Sequence, residues 1–354
     1  MRPLDERRIR CVACGHRCPI LEGQRGVCKV RFNSGGKLYA PWGYVAGLAC
    51  DPIEKKPFFH VEPGSRAFSF GMLGCDLHCG YCQNWVTSQA LRDPQAVAPV
   101  MHVTPERLVR LALDADAASV VSTYNEPLIT AEWAVAVFKE AKGAGLAAGF
   151  VSNGNATPEV LGYLRPYLDL YKVDLKSFHP ARYRELGGRL EPILDSIRRI
   201  FAMGFWLEVV TLVVPGFNDA DEQLRRIAGF LAGISPDIPW HVTAFHRDYR
   251  MTGPPDTPAS TLRRAAAIGQ AEGLRYVYAG NLPGRLPGLE DTRCHACGAT
   301  LVRRTGFRVA DNRITGEGRC PDCGAAIPGR WRLSPGGGPS APPGRPKRND
   351  VMFR

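Results

Sequence analysis

The sequence of 354 residues predicts an α/β fold in which a partial or full (β/α) barrel lies between two cysteine-bearing segments. Two observations carry this prediction. Short apolar runs alternate with longer amphipathic runs from residue 66 to residue 280, as expected for parallel strands that are joined by helices. The 12 cysteines form three clusters and one isolated residue, Cys50, and the clusters mark the two flanking segments and the start of the alternation.

The elements of the barrel follow from these runs. The predicted strands are the apolar, β-branched runs 67–73, 118–124, 146–152, 168–175, 205–214, 240–245 and 275–279. The predicted helices are the amphipathic runs 105–114, 131–144, 158–164, 191–203, 220–231 and 258–272. Three helices are expected to begin with a threonine cap and a proline, at Thr104-Pro105, Thr157-Pro158 and Thr257-Pro258. A doubly wound open sheet is the alternative, because periodicity alone does not separate it from a barrel.

Composition and charge bound the class of protein. With 45% hydrophobic and 22% charged residues, the chain has enough apolar material for a core, so global disorder is excluded. We find no apolar run of about 18 residues and no secretory leader, so we expect a cytoplasmic protein without a membrane partner. Residues 330–354, with six basic residues and one acidic residue, contribute +5 of the net charge of +11. Since metal-bound thiolates remove further positive charge, nucleic acid is not an expected partner.

The decisive motif is Cys75, Cys79 and Cys82 in C-x3-C-x2-C spacing, directly after the first predicted barrel strand. Three thiolates can ligate three irons of a [4Fe–4S] cluster and leave the fourth iron open. Loops that follow barrel strands are where this architecture places its chemistry. A zinc site completed by His78 or Cys50 is the alternative, but zinc motifs usually come as two cysteine pairs.

This loop, with Tyr81 just before its last cysteine, resembles the cluster motif of radical S-adenosylmethionine (SAM) enzymes. The chain looks most like the radical enzymes of the AmmeMemoRadiSam system, which are similar to glycyl-radical activating enzymes such as that of pyruvate formate-lyase. The resemblance runs from about Cys11 to Trp331 and includes residues 51–57, 64–65, 82–85, 122–127, 152–154, 174–176, 214–219, 244–246 and 280–281.

The resemblance implies a radical SAM oxidoreductase. Such an enzyme reductively cleaves SAM at the [4Fe–4S] cluster, and the resulting 5′-deoxyadenosyl radical abstracts hydrogen from a substrate. The resemblance suggests a partner protein as substrate, Memo-like and Amme-like proteins as partners, and flavodoxin or ferredoxin as electron donor. A radical enzyme that modifies tRNA, and a non-catalytic metal-binding scaffold or redox sensor, are the alternatives.

The resemblance also implies contacts to SAM at the ends of the strands. Asn125 and Glu126 stand where the family usually has Gly-Gly-Glu, whose backbone and acid meet the amino group of SAM. The positions that align with those holding the carboxylate, ribose or methionyl part are Asn153, Asp174, Lys176 and His246. A functional alternative is that Lys176 or His246 faces the substrate. Structural alternatives are a simple turn at Asn153-Gly154, an ion pair between Asp174 and Lys176, and a surface position for His246.

Two further cysteine clusters suggest structural metals. Two C-x2-C pairs, Cys294/Cys297 and Cys320/Cys323, flank a predicted hairpin at 299–314 and are typical of a structural zinc ribbon. The N-terminal set is Cys11, Cys14, Cys18 and Cys28, for which zinc is favoured narrowly over an auxiliary [4Fe–4S] cluster, with His16 as a substitute ligand.

The expected domains are an N-terminal cysteine-rich segment (1–65), the radical SAM barrel (66–285), the zinc ribbon (286–332) and a disordered basic tail (333–354).

Overall fold

The structure, a computed structural model, describes residues 1–5 and 7–331, so the tail expected at 333–354 lies outside the described residues. The strands are β1 (Arg2–Pro3), β2 (Arg8–Arg10), β3 (Pro19–Leu21), β4 (Phe32–Ser34), β5 (Lys37–Tyr39), β6 (Tyr44–Val45), β7 (Gly47–Pro52), β8 (Arg66–Gly71), β9 (Met101–His102), β10 (Ser119–Ser122), β11 (Ala147–Ser152), β12 (Leu170–Asp174), β13 (Trp206–Val213), β14 (Trp240–Ala244), β15 (Val277–Gly280), β16 (Thr292–Arg293), β17 (Thr300–Thr305) and β18 (Arg308–Asn312). The α-helices are α1 (Trp85–Ser88), α2 (Pro105–Asp114), α3 (Ala131–Gly143), α4 (Pro158–Leu164), α5 (Pro180–Glu185), α6 (Leu190–Ala202), α7 (Asp221–Ala232) and α8 (Ala259–Ala271), and short 3-10 helices span Ile53–Lys55 and Pro127–Thr130.

The main sheet has eight strands in the described part of the chain, in the order β15-β14-β13-β12-β11-β10-β8-β7. Strand β7 pairs antiparallel with β8, and all other pairs are parallel. The parallel strands follow one another in sequence order from β8 to β15. In a doubly wound sheet this order would reverse at one point. Right-handed crossovers that step in one direction place the connecting helices on one face of the sheet. The predicted α/β fold with a (β/α)-barrel arrangement is therefore confirmed.

The helices form where their sequence predicts them. The six predicted helices begin and end within one residue of the observed bounds of α2, α3, α4, α6, α7 and α8. Thr104 and Thr157 cap α2 and α4, since their hydroxyls accept the amides of Arg107 and Val160. The third predicted cap is wrong. Helix α8 begins after Pro258 without a side-chain cap, because the hydroxyl of Thr257 instead bonds the backbone of Val213 and Phe245 and ties two strand ends together.

The segment before β8 fills the inner face of the sheet at the amino ends of the strands. Ile53, Phe58 and Val61 are fully buried there and pack against Val121 and Leu170, among others. The amides of Phe59 and His60 donate to the buried carboxylate of Glu208 on β13. This amino end is thus packed shut, which leaves the carboxyl ends of the strands for the loops.

The C-terminal cysteine pairs enclose the predicted hairpin, formed by the antiparallel strands β17 and β18. Leu301 and Val302 of β17, together with Ile327, pack in one cluster with Tyr276 and with Tyr278 of β15. Arg304 reaches across this contact to Glu54, and both side chains are fully buried. No helix among the described residues is long and apolar enough to cross a membrane.

Candidate active site at the carboxyl end of the sheet

The cluster loop begins at Gly74, immediately beyond β8. Cys79 is buried, and Cys75 and Cys82 are half-buried in an apolar pocket that includes Tyr81 and Phe217. Burial raises the pKa of all three thiols, that of Cys79 to about 12. Three thiolates at this place therefore need a cationic metal group to stabilise their charge.

The donors around the sulfurs fit an iron–sulfur cluster. The amide of Leu77 lies 3.4 Å from the Cys75 sulfur, and the Ser88 hydroxyl lies 3.2 Å from the Cys82 sulfur. Hydrogen bonds to the sulfurs are one of the means by which proteins tune such clusters. The hydroxyl of Tyr81 is among the buried polar atoms of the described residues that have no hydrogen-bond partner. A buried hydroxyl without a partner, beside three thiols that can ligate a metal, fits a site that binds a polar cofactor.

Asp76 is a buried carboxylate inside the cluster loop. Its two oxygens accept hydrogen bonds from the side-chain amides of Asn153, at 2.7 Å, and Asn155, at 2.8 Å. Asn153 also lies 3.9 Å from the sulfur of Cys75, so the end of β11 is fastened to the cluster loop. Sequence reasoning selected Asn153 but missed Asp76 and Asn155. The signal for Asp76 was an acidic residue between two ligating cysteines.

Asn125 and Glu126 follow β10 and connect three strand ends. The Asn125 side-chain oxygen accepts the amide of Met72, at 2.9 Å. Glu126 accepts the Ser152 hydroxyl and the Asn153 amide, each at 2.7 Å. Burial, and then the charge of Asp76, raise the pKa of Glu126 to about 8. The shift favours the protonated carboxyl more than in a free glutamate, and the side chain holds the end of β11 in place.

Asp174 and Lys176 form the ion pair that their spacing suggested, and Lys172 joins it. Burial opposes the charge on Asp174, but the two lysines hold its pKa at about 2. Burial also opposes the charge on Lys176, yet Asp174 and the Cys79 thiolate raise its pKa well above the usual value. The structure thus places a permanent cation and a permanent anion beside the cluster loop. Lys172 was missed because it lies inside a strand.

His246 lies at the rim of the site, just beyond β14. Its ring nitrogen Nε2 is 2.8 Å from the amide nitrogen of Gln83 in the cluster loop. Next to this rim is a cavity of about 540 Å³, lined in part by Trp85, Tyr249 and Arg250, where the two aromatic rings stack at 5.1 Å. The amide of Arg250 donates to the Gly80 carbonyl, so the cavity adjoins the cluster loop. Sequence reasoning missed this cavity because residues 246–251 have no regular pattern.

The C-terminal cysteines form a compact quartet whose sulfurs all lie within 4.8 Å of one another. The Cys294–Cys323 and Cys297–Cys320 sulfurs are 3.6 and 3.7 Å apart. Thiolates about 2.3 Å from a zinc ion form a tetrahedron with edges of about 3.8 Å, so the quartet fits zinc. The quartet and the hairpin between its pairs fit the predicted zinc ribbon.

The fold and these cysteine sites define a metalloprotein with an iron–sulfur loop at the carboxyl end of a parallel sheet. The sequence profile of the Radical SAM superfamily matches residues 71–228. An uncharacterized protein of Methanocaldococcus jannaschii is 36% identical over 327 residues, which are 92% of this chain and 96% of that protein. The chain belongs to the radical SAM superfamily, which implies a [4Fe–4S] cluster and SAM.

Activating enzymes are among its relatives. The benzylsuccinate synthase activating enzyme of Thauera aromatica is 26% identical over 146 residues, 37% of this chain and 43% of that enzyme. The isethionate sulfite-lyase activating enzyme of Oleidesulfovibrio alaskensis is 27% identical over 126 residues, 35% of this chain and 40% of that enzyme. The chain thus spans less than half the length of these two relatives.

Solved structures resemble it more remotely. A domain of a pyruvate-formate lyase-activating enzyme from Bacteroides vulgatus has a TM-score of 0.42 and 20% identity, and the match covers 47% of this chain and all of that one. Streptococcus suis SuiB bound to S-adenosylmethionine has a TM-score of 0.48 and 15% identity, over 65% of this chain and 53% of that one.

Proposed function

We propose that the chain is a radical SAM enzyme that reductively cleaves SAM and abstracts hydrogen from a partner protein, in the manner of activating enzymes. The observation that carries the proposal is the set of Cys75, Cys79 and Cys82 in a buried pocket at the carboxyl end of the sheet. A cluster on these sulfurs with SAM on its open iron supplies one-electron cleavage of SAM to methionine and a 5′-deoxyadenosyl radical. The proposed electron donor is a flavodoxin or a ferredoxin.

The proposed contacts to SAM use the charges beside the loop. Lys176 offers a permanent cation to the carboxylate of SAM, and Asp174, kept ionised by two lysines, can accept hydrogen bonds from ribose hydroxyls. Asn153 is held by Asp76 and Glu126 close to the Cys75 sulfur. The remaining proposed contacts are Tyr81 through its free hydroxyl, Asn125 and Glu126 toward the amino group, and His246 at the rim.

The cavity beside Trp85 and Tyr249 is the proposed entrance for the substrate. It adjoins the cluster loop and its volume of about 540 Å³ lies in the range of ligand sites, large enough for a side chain presented on a short loop. The resemblance to the AmmeMemoRadiSam system makes Memo-like and Amme-like proteins the proposed partners.

The test measures 5′-deoxyadenosine after anaerobic reconstitution, with SAM and a chemical reductant. Wild-type protein should release 5′-deoxyadenosine, and the variant Cys75→Ala/Cys79→Ala/Cys82→Ala should release none above background. The matched control is Cys50→Ala, which removes a cysteine outside the loop and should keep full activity. Release by the triple variant, or no release by an iron-loaded wild type, would contradict the proposal.

The substrate is then found by isotope transfer. Each candidate partner protein is prepared with deuterium at carbon and incubated with the enzyme, SAM and reductant. Deuterium in 5′-deoxyadenosine identifies the partner as the hydrogen donor. The same assay with tRNA in place of protein tests the alternative substrate, for which we expect no deuterium transfer.

A further inference from the structure

The four N-terminal cysteines gather in one buried place. Cys11, Cys14 and Cys28 are each 6% exposed, and Cys18 is half-buried. The Cys11 amide donates to the Cys18 carbonyl at 3.0 Å, which closes the loop that carries the first three cysteines. The Cys18 sulfur in turn lies 3.5 Å from the amide of Val27, the residue before Cys28. These two contacts bring both ends of the segment together, so the four buried thiols can serve one shared metal site.

The spacing of these sulfurs differs from that of the zinc quartet. In the described residues, the C-terminal quartet alone brings three or more metal-ligating Cys, His, Asp or Glu atoms within 4.8 Å of one another. Neither the N-terminal cysteines nor Cys75, Cys79 and Cys82 therefore bring three of their sulfurs within this distance of one another. Ligands of a four-iron cluster stand on the outside of a cube of iron and sulfide, farther apart than ligands of one ion.

The set has a buried anion, Asp76, and a buried cation, Arg31, as neighbours, and the cation offsets negative charge at the site. Arg31 is buried at 3% exposure, and its guanidinium is held by Glu132 and by the Ile129 carbonyl. Burial works against this cation, but Glu132 and the thiolates Cys11 and Cys28 raise its pKa. The amide of Val27 lies 3.5 Å from the Cys18 sulfur, so a sulfur of the set also receives a backbone donor.

His16 is already engaged elsewhere. Its Nε2 donates to the backbone carbonyl of Asp76 at 3.1 Å, which leaves the four cysteines as the ligand set.

The N-terminal segment also adjoins the loop of Cys75. Arg92 donates to the carbonyls of both Val27, at 2.6 Å, and Cys75, at 2.7 Å.

We propose that Cys11, Cys14, Cys18 and Cys28 ligate a second [4Fe–4S] cluster, in place of zinc, beside the loop that carries Cys75. Four cysteine ligands leave no open iron, so this cluster would transfer electrons or stabilise the fold and would not bind SAM. The site does not depend on the proposed reaction, because its ligands lie outside the loop of Cys75.

The test counts metals in protein reconstituted anaerobically with iron and sulfide, without any activity assay. Wild-type protein should hold about eight irons and one zinc per chain, since each [4Fe–4S] cluster has four irons. The variant Cys75→Ala/Cys79→Ala/Cys82→Ala keeps the N-terminal site intact and should retain about four irons. After reduction it should still show the electron paramagnetic resonance signal of a [4Fe–4S]⁺ cluster, and adding SAM should not change that signal.

An iron-free triple variant, with or without a second zinc, would overturn the proposal. The reciprocal variant, Cys11→Ala/Cys14→Ala/Cys18→Ala/Cys28→Ala, should hold about four irons whose signal changes on addition of SAM. Should this variant fail to fold, the triple variant still decides, because it leaves the N-terminal segment unchanged. Cys50→Ala is the control and should keep about eight irons.

Discussion

His60 is a buried histidine whose protonation should destabilise the fold. Its side chain is fully buried between the barrel and the ribbon, where Nδ1 donates to the Pro328 carbonyl and Nε2 lies 2.6 Å from the Tyr278 hydroxyl. Burial lowers the pKa of His60 to about 4, because the Glu208 carboxylate, which favours the protonated ring, offsets only part of the cost of burying its charge. The folded protein therefore resists a proton that the unfolded chain accepts near pH 6.5.

The sign and the size of the effect follow from these two pKa values. Above pH 6.5 neither state holds the proton, so the full stability is present. As the pH falls from 6.5 to 4, the unfolded chain takes up the proton first and the free energy of unfolding decreases. A histidine with pKa values of about 4 folded and about 6.5 unfolded loses about 2 kcal/mol by pH 5.

The assay is urea unfolding of the metal-loaded protein at pH 7.5 and pH 5.0, under anaerobic conditions. Tryptophan fluorescence reports on the region directly, because Trp206 and Trp331 lie 6.1 and 5.4 Å from the His60 ring. The control is His60→Gln, which keeps a donor for Pro328 and does not titrate. Between the two pH values the wild type should lose about 2 kcal/mol more than this variant. Equal losses in the two proteins would refute the reasoning.

Two further predictions concern the ribbon. Replacing Arg304 with Met leaves Glu54 buried without its cation, so Arg304→Met should lower the free energy of unfolding by about 3–5 kcal/mol. The exposed control Arg303→Met should change the free energy of unfolding by less than about 0.5 kcal/mol. Adding Glu54→Gln to Arg304→Met should recover part of the loss, and no recovery would argue against the ion pair as the cause. The variant Cys294→Ala/Cys297→Ala should lose the zinc of the ribbon and keep its iron content, as measured by elemental analysis. If the variant still holds zinc, the zinc site lies elsewhere in the chain.

The sequence predicts the elements of the barrel well because their signals are local. β-Branched runs such as Val120–Val121 form buried strands, and threonine followed by proline places the starts of α2 and α4. The order of the strands was open from the sequence, since a barrel and a doubly wound sheet have the same periodicity. Only the pairing of β8 with β10, and of each later strand with the next one, decides between them. The predicted cap at Thr257 failed for the same reason, because the partners of its hydroxyl are not local in sequence. Val213 lies 44 positions away and Phe245 lies 12 positions away.

The candidate site was predictable only in part. Cysteine spacing is a local signal, and it divides the cysteines into the three clusters for which metal sites were predicted. The residues that hold the loop are bonded across long separations, since Asp76 meets Asn153 and Asn155 from 77 and 79 positions away. No periodicity encodes such a contact. Asn153 entered the prediction through a family resemblance, whereas the signal for Asp76, an acidic residue between two ligating cysteines, does not identify its partners.

Buried charge occurs at both ends of the barrel, and its surroundings distinguish structure from chemistry. At the amino end, Glu208 receives the amides of Phe59 and His60 together with the ring of His241, so its hydrogen-bonding capacity is used within the protein. At the carboxyl end, Lys176 and Asp174 lie beside cysteine sulfurs and a tyrosine hydroxyl that lacks a partner among the described residues. A charge network that is complete within the protein stabilises the fold, whereas one beside thiols with raised pKa values and a hydroxyl without a partner suits a ligand site. In the described part of the chain, the segment 53–61 fills the amino end and the ribbon packs beside it, which favours the carboxyl end for the proposed binding of SAM and substrate.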